Sequence, residues 1–427
     1  MTPVVEAAVA RTALAAAWRR LPEALRGPTQ FLGRHYAGCG ATIGAMPKCD
    51  FACTGCYLGE DANRAKPSSL TEIQRQLRVL REWLGPAGNV QITDGEVSLR
   101  AETEVVTMIR YAREIGLVPM LMTHGETFRR RPGLLERLMV EAGLTEISVH
   151  IDTTQRGRRD HFAKARTEAE LDPLREEFAE MIRRARRQTG RRLSVASTVT
   201  VTRENLAEVP GIVRWFLGNA DAFKMVSFQP LADVGRTDRD LRGVTPDELW
   251  AKIAEGAGDP HLSRGEGWLG HPACSRFVQG VAVKQTKHGH PQLVPLYRRD
   301  EPAEMRVLNE LLDRTGGLSF RLDTLRQAVG RLAAFAVRHG WFALTRLLPH
   351  FIKLRWRAGT WRANYFCIVS HHFMSAAETA TPLGQERLDV CAFKVAINGE
   401  LKSMCAVNAL GLREDFYRAK QPVLTEA

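Results

Sequence analysis

A chain of 427 residues, 44% hydrophobic and 25% charged, has the composition of a folded globular protein with a sizeable core, in one large domain with an appendage or in two. No window approaches the ~18 uninterrupted apolar residues of a membrane-spanning helix, which excludes that class. The net charge of +12 is concentrated in arginine runs such as "FRRRPG" and "RRARRQTGRR". Solvated helix faces account for most of this charge. A nucleic acid, disfavoured because aromatics at 7% do not interleave with those runs, and an anionic membrane surface are the other readings, and charge alone does not choose between them.

The N-terminal stretch "MTPVVEAAVARTALAAAWRRLPEAL" has no basic n-region and carries Glu6 and Arg11, so it reads as an amphipathic helix rather than a signal peptide. A cytoplasmic location is expected, with the cysteines as thiols or metal ligands rather than disulfides. Residues 1–38 are predicted to be a helical extension. From 39 to 240, short apolar runs alternate with helical stretches: "ATIGAM", "NVQIT", "VPMLMT", "EISVHID", "LSVASTVTV" and "FKMVSFQ". The helix over "SSLTEIQRQLRVLREWLG" opens on a capping box, Ser69 to Glu72, and stops at Gly85. Six such units imply an α/β fold with a parallel sheet, partly closed into a (β/α)6 TIM-type barrel, whose chemistry sits at the C-terminal strand ends.

After residue 240 the rhythm breaks, and 241–427 is expected to form an α+β domain containing further cysteines. Residues 319–363 hold nine Lys or Arg and one acid, Asp323. Pro349 should end or kink a helix there. This segment fits a helix pair packed on the barrel, or an interfacial pair whose Trp341, Phe342, Phe351 and Trp356 lean on a membrane surface. In "CAFKVAINGELKSMC", Asn398-Gly399 predicts a two-residue hairpin turn with Ile397 facing Glu400. Cys391 and Cys405 then meet at the open end, one residue out of register, and sharing a ligand needs a bulge or a frayed strand end.

The densest cysteine cluster is "CDFACTGC", Cys49-x3-Cys53-x2-Cys56, directly after the first strand. Structural zinc usually takes four closed ligands in two separated pairs, and no second CxxC exists. A redox pair Cys53-x-x-Cys56 leaves Cys49 unexplained. Three thiolates on a cubane [4Fe–4S] cluster leave one iron without a protein ligand, open to a substrate or cofactor.

On this triad the chain resembles the radical S-adenosylmethionine (SAM) superfamily. "TDGEV" at 93–97 stands where that family has a Gly-Gly-Glu-Pro-like motif; Gly95 and Glu96 match, while Asp94 and Val97 depart from it. "MTHG" at 122–125 and "SVHIDT" at 148–153 end later strands in the same manner. The resemblance implies a SAM-binding [4Fe–4S] cluster on Cys49, Cys53 and Cys56, one-electron cleavage of SAM to a 5′-deoxyadenosyl radical, and hydrogen abstraction from an unactivated C–H bond. It implies a flavodoxin- or ferredoxin-type electron donor. Glu96 is expected at the methionine amine, with Thr123, Ser197 and Gln229 as further cofactor contacts. Gly55 replaces the aromatic that many members carry before the third cysteine, and Tyr57 is the expected substitute against adenine.

Cys274, Cys367, Cys391 and Cys405 are enough for one auxiliary [4Fe–4S] cluster. Cys39 has no assigned partner. "SFQPLADVGR", "HPAC", "SHHFM" and "NGELKSMCAVN" are similar to tetraether-lipid-synthase-like radical SAM proteins, which implies a lipid alkyl chain as substrate, C–C bond formation, and peripheral contact with the inner face of the membrane. A peptide, another small molecule or an RNA are the alternative substrates, and a non-enzymatic iron–sulfur or zinc scaffold the alternative class. About 38 residues before the barrel are too few for a leader-binding winged helix, and no nucleic-acid module is visible.

Overall fold

The computed structural model describes residues 2–3, 8–36, 41–238, 240–260, 262, 267–284, 289–315, 318–319, 325–359 and 364–419, so Cys39 lies outside the described residues. Helix α1 (Ala8–Arg20) precedes the repeating units. Strands β1 (Ala41–Met46), β2 (Asn89–Asp94), β3 (Val118–Thr123), β4 (Glu146–His150), β5 (Ser194–Val201) and β6 (Met225–Pro230) coincide with the six apolar runs. Helices α2 (Leu70–Leu84), α3 (Glu102–Glu114), α4 (Asp172–Thr189) and α5 (Val209–Gly218) join them, and α6 (Pro246–Ala257) follows β6. Short helical turns replace a long helix between β3 and β4.

Helix α2 starts where its sequence predicts: the Ser69 hydroxyl accepts from Glu72 N at 3.2 Å, and Gly85 closes the helix at φ 74°. Only half of the capping box forms, because the Glu72 carboxylate takes Arg75 and Gln76 instead.

The second half of the chain supplies β7 (Ser275–Val283), β8 (Gln292–Pro295), α7 (Pro302–Thr315), α8 (Leu325–Phe342), α9 (Leu348–Ala358), β9 (Asn364–His371), α10 (Pro382–Asp389), β10 (Lys394–Ile397), β11 (Glu400–Ser403), α11 (Met404–Ala409) and α12 (Leu412–Arg418). Pro349 sits in the first turn of α9, after a π-helical stretch that ends α8. The main sheet runs β8-β7-β9-β6-β5-β4-β3-β2-β1-β10-β11. β9 lies parallel to β6 and β10 parallel to β1, so strands from 241–427 extend the barrel sheet on both sides. The reason is physical: β1 and β6 would otherwise present unpaired backbone groups at two sheet edges. β9 and β10 do not pair, and the barrel stays open between them.

Alternation along the strands sets what the barrel holds. Ile147 and Val149 on β4, and Val195, Val199 and Val201 on β5, are buried in the main apolar core with the covering helices. The intervening Ser148, His150, Thr198 and Thr200 face inward and line a cavity. The main apolar core is therefore outside the sheet, while β4 and β5 turn polar side chains toward a hollow interior.

Arg175 at the start of α4 is fully buried and pairs with the buried Glu168 carboxylate. Glu168 in turn accepts from Thr153 N at 2.9 Å and Asn205 Nδ2 at 3.0 Å, tying the β4 and β5 exit loops together. Arg175→Met should lower unfolding free energy by about 3–5 kcal/mol by leaving Glu168 buried and unpaired. Denaturant titration checks this, with partial recovery expected in Arg175→Met/Glu168→Gln.

Candidate functional site

The cavity inside the barrel encloses about 1250 Å³, counting the space open to solvent at its mouth. Cys49, Cys53 and Cys56, all free thiols, line it at the C-terminal end of β1. Their loop is fixed by backbone bonds to two neighbouring exits. Ala52 N donates to Arg156 O at 2.8 Å and Thr54 N to Thr154 O at 2.9 Å. From the β6 exit, Arg236 N donates to Cys56 O at 3.1 Å and Thr237 Oγ1 accepts from Cys56 N at 3.2 Å. Gly235, at φ +59°, must be glycine, because a Cβ there would meet the Tyr57 carbonyl carbon at 2.4 Å.

Burial, and then the neighbouring thiol Cys56, push the Cys53 thiol far above its ordinary range, and burial raises Cys56 as well, against the opposing charge of Arg236. Burial keeps Cys53 and Cys56 from ionising readily alone, and a bound cation would compensate their thiolates, so the triad fits a metal cluster.

Tyr57 lines the cavity with its hydroxyl donating to Asp94 O at 2.8 Å and the Arg413 guanidinium 4.8 Å from its ring centre. Gly55 is occupied ground: a Cβ there would stand 2.5 Å from Leu231 Cδ1, so Leu231 fills the place next to the third cysteine. Gly95 is equally constrained, with a Cβ 2.2 Å from Lys48 O. Glu96 is buried on the cavity wall, but its carboxylate accepts from Thr123 Oγ1 at 2.7 Å and His124 N at 2.8 Å and from both Ser98 donors. Glu96 and Thr123 are thus engaged with each other, bridging β2 to β3. Ser197 does not line the cavity: strand alternation turns it outward, where its Oγ donates to Val149 O at 2.9 Å. Gln229 lines the cavity at the end of β6.

Several cavity residues had no signal beyond strand-end polarity. Thr198 and Thr200 follow from alternation once Ser197 is placed outward. Gln155 adds a buried Nε2 with no hydrogen-bond partner. Asp152 is fully buried, yet His150 and bonds from Thr154 and Thr200 N outweigh burial and hold its carboxyl below the usual range. His124 donates or accepts at 2.8 Å from Asp50 and stacks on Phe51 with ring centres 3.8 Å apart.

A second, smaller cavity is lined by Cys274, Cys391 and Cys405. The hairpin forms as its sequence predicts, Ile397 facing Glu400, with Asn398 and Gly399 at φ 52° and 84°. No bulge is needed to gather Cys391 and Cys405. Pairing ends at Lys394–Ser403, where Ser403 caps α11 and the first helical turn swings Cys405 round. Cys367 is elsewhere: it is buried inside β9, opposite Gln279 and Met225, and lines neither cavity. Phe373, Phe393 and Met404 line both cavities and form the partition between them.

Residues 43–216 match the model of the Radical SAM superfamily. With its Cys49/Cys53/Cys56 motif on the cavity, that stretch is a radical SAM domain, of a superfamily whose cofactors are a [4Fe–4S] cluster and SAM. The 7,8-dihydro-6-hydroxymethylpterin dimethyltransferase of Methanocaldococcus jannaschii is 25% identical over 200 residues, 46% of this chain and 37% of that protein, so the match spans just over a third of the relative's length. Among solved structures, Streptococcus suis SuiB bound to S-adenosylmethionine is 15% identical over 51% of this chain and 46% of its own, at TM-score 0.37. The FeFe-hydrogenase maturase HydG from Carboxydothermus hydrogenoformans is 12% identical over 81% and 85%, also at TM-score 0.37.

Asp94 holds φ 102°, a backbone state that costs a non-glycine residue about 1–3 kcal/mol. Its buried carboxylate is gripped by Arg413 and Tyr417 from α12, and Gly44 leaves the room, since a Cβ there would lie 2.3 Å from Asp94 Oδ2. Arg413→Leu should lower stability by about 3–5 kcal/mol and weaken SAM binding by loosening the Asp94–Glu96 turn. Thermal unfolding and calorimetric titration check this, and Asp94→Gly/Arg413→Leu should recover most of the loss.

Proposed function

We propose that this chain is a radical SAM enzyme acting on the alkyl chain of a lipid, with C–C bond formation as the outcome, docked on the inner face of a membrane. The observation that carries the lipid substrate is the outer face of α8 and α9. Phe335, Phe342, Leu354 and Ala358 are buried on the inner side, yet Val337, Trp341 and Trp356 are 89%, 83% and 84% exposed on the outer side. Leu344, Leu348, Phe351 and Ile352 are exposed with them, among the exposed cations Arg338, Arg346 and Lys353. No acid occurs from residue 324 to residue 377. Lys353 also lies 3.3 Å from Glu304 of α7, and apolar anchors among cations, on a segment with no acid of its own, complement an anionic bilayer surface. Among the described residues no helix is long and apolar enough to cross a membrane, so this contact is peripheral.

Cys49, Cys53 and Cys56 would hold the [4Fe–4S] cluster to which SAM binds. Cluster and SAM, when bound, supply a 5′-deoxyadenosyl radical, given one electron from a flavodoxin- or ferredoxin-type donor. The chain's own residues do the positioning. Tyr57 and Leu231 wall the cavity beside the third cysteine, Gln155 offers a free amide donor, and Gln229 lies at the β6 end. The Phe373–Phe393–Met404 partition gives the cavity an apolar wall suited to a hydrocarbon and to excluding water. Methyl transfer to a heterocycle is the second reading, favoured by the similarity to the pterin dimethyltransferase.

Anaerobically reconstituted protein with SAM and dithionite should release 5′-deoxyadenosine, and Cys49→Ala/Cys53→Ala/Cys56→Ala should release none. Equal release from both would refute radical chemistry. Vesicles of phosphatidylglycerol in phosphatidylcholine should sediment the protein, with Trp341→Ser/Trp356→Ser binding about tenfold more weakly. Undiminished binding, or methylated product with unchanged lipids, would favour the heterocycle.

A further inference from the structure

The second cavity contains more than three thiols. His372 lines it beside Cys274, Cys391 and Cys405, and its Nδ1 is buried without a hydrogen-bond partner. Its other ring nitrogen, Nε2, lies 3.1 Å from Glu378 Oε1. A carboxylate on one nitrogen holds the proton there and leaves the other nitrogen's lone pair free, which is the usual outer partner of a metal-bound histidine. His271 is placed differently, since its Nδ1 already accepts from Ala273 N at 3.0 Å.

The surroundings suit an anionic sulfur site. Arg387 Nε donates to Cys274 Sγ at 3.2 Å, while its Nη2 donates to His372 O at 2.8 Å and its Nη1 lies 3.7 Å from Glu378. Met374 N donates to Cys405 Sγ at 3.4 Å. One cation therefore faces a thiol, the backbone of the histidine and the carboxylate that orients it.

We propose that Cys274, Cys391, Cys405 and His372 form a second metal site, a Cys3His set that holds an iron–sulfur cluster behind the Phe373–Phe393–Met404 partition. A mononuclear ion fits less well. Sulfurs at about 2.3 Å from one zinc stand roughly 4 Å apart. Among the described residues, Cys274, Cys391 and Cys405 do not bring their ligand atoms within 4.8 Å of one another, and neither do Cys49, Cys53 and Cys56. A polynuclear cluster spreads its ligands more widely. Cys367, buried within β9, takes no part.

The test is independent of SAM chemistry, because it uses the full chain with the first triad removed. Cys49→Ala/Cys53→Ala/Cys56→Ala, reconstituted anaerobically, should retain about four iron and four sulfide per chain. Pulsed electron paramagnetic resonance of the reduced protein should show strong coupling to a histidine nitrogen. Adding His372→Cys should keep the iron and abolish that coupling; adding Cys274→Ala/Cys391→Ala/Cys405→Ala should remove the iron. Less than one iron per chain in the first variant, zinc in place of iron, or a nitrogen coupling that survives His372→Cys would each overturn the assignment. A purified His372→Cys variant that elutes as a folded monomeric species but binds no iron would also overturn it, since cysteine is a competent ligand.

Discussion

An extended parallel sheet has two edges whose backbone donors and acceptors must go somewhere, and the arrangement of this protein follows from how that demand is met. β1 and β6 hand their edges to β10 and β9, which in turn pass them to antiparallel partners facing outward. The barrel never closes, and the gap between β9 and β10 becomes the place where the second half of the chain can reach the interior. Phe373, Phe393 and Met404 enter there, and the three cysteines of the smaller cavity collect behind them. Substrate wall, cysteine cluster and sheet completion are thus one piece of chain.

The site shows the same economy. The turn that ends β2 carries Asp94 in a left-handed conformation instead of glycine, and the carboxylate that makes this awkward also provides the anchor for Arg413 and Tyr417. Arg413 then covers the Tyr57 ring, and Tyr57 reaches back to the Asp94 carbonyl. The departure from the family's glycine is therefore coupled to an added contact from α12. Leu231 fills the space above Gly55 in the same way, one exit loop supplying what the cysteine loop lacks.

The six strands were legible because each is a short apolar run between turn signals, and the cysteine triad because its spacing has few competing explanations. The Asn398-Gly399 hairpin was legible down to its register, since only a positive-φ pair makes that turn. What the sequence hid was lateral. Nothing local in "NYFCIVSH" says that it will pair with β6, and so Cys367 looked equivalent to the other late cysteines until its strand buried it. Side-chain direction was the second loss. Ser197 and Thr198 are neighbours of similar chemistry, and which one meets the cavity depends on a pleat phase that only the folded sheet fixes. Glu96 and Thr123 both line the cavity, but their mutual bond is a three-dimensional fact.

The grip of Arg413 on Asp94 also has a consequence in time. The two residues are 319 positions apart, with the barrel strands β3 to β6 and both flanking strands between them. During synthesis the cysteine loop emerges early, while the contact that settles the turn beside it arrives with the last described helix. A cofactor loaded before α12 has folded would meet an unfinished pocket.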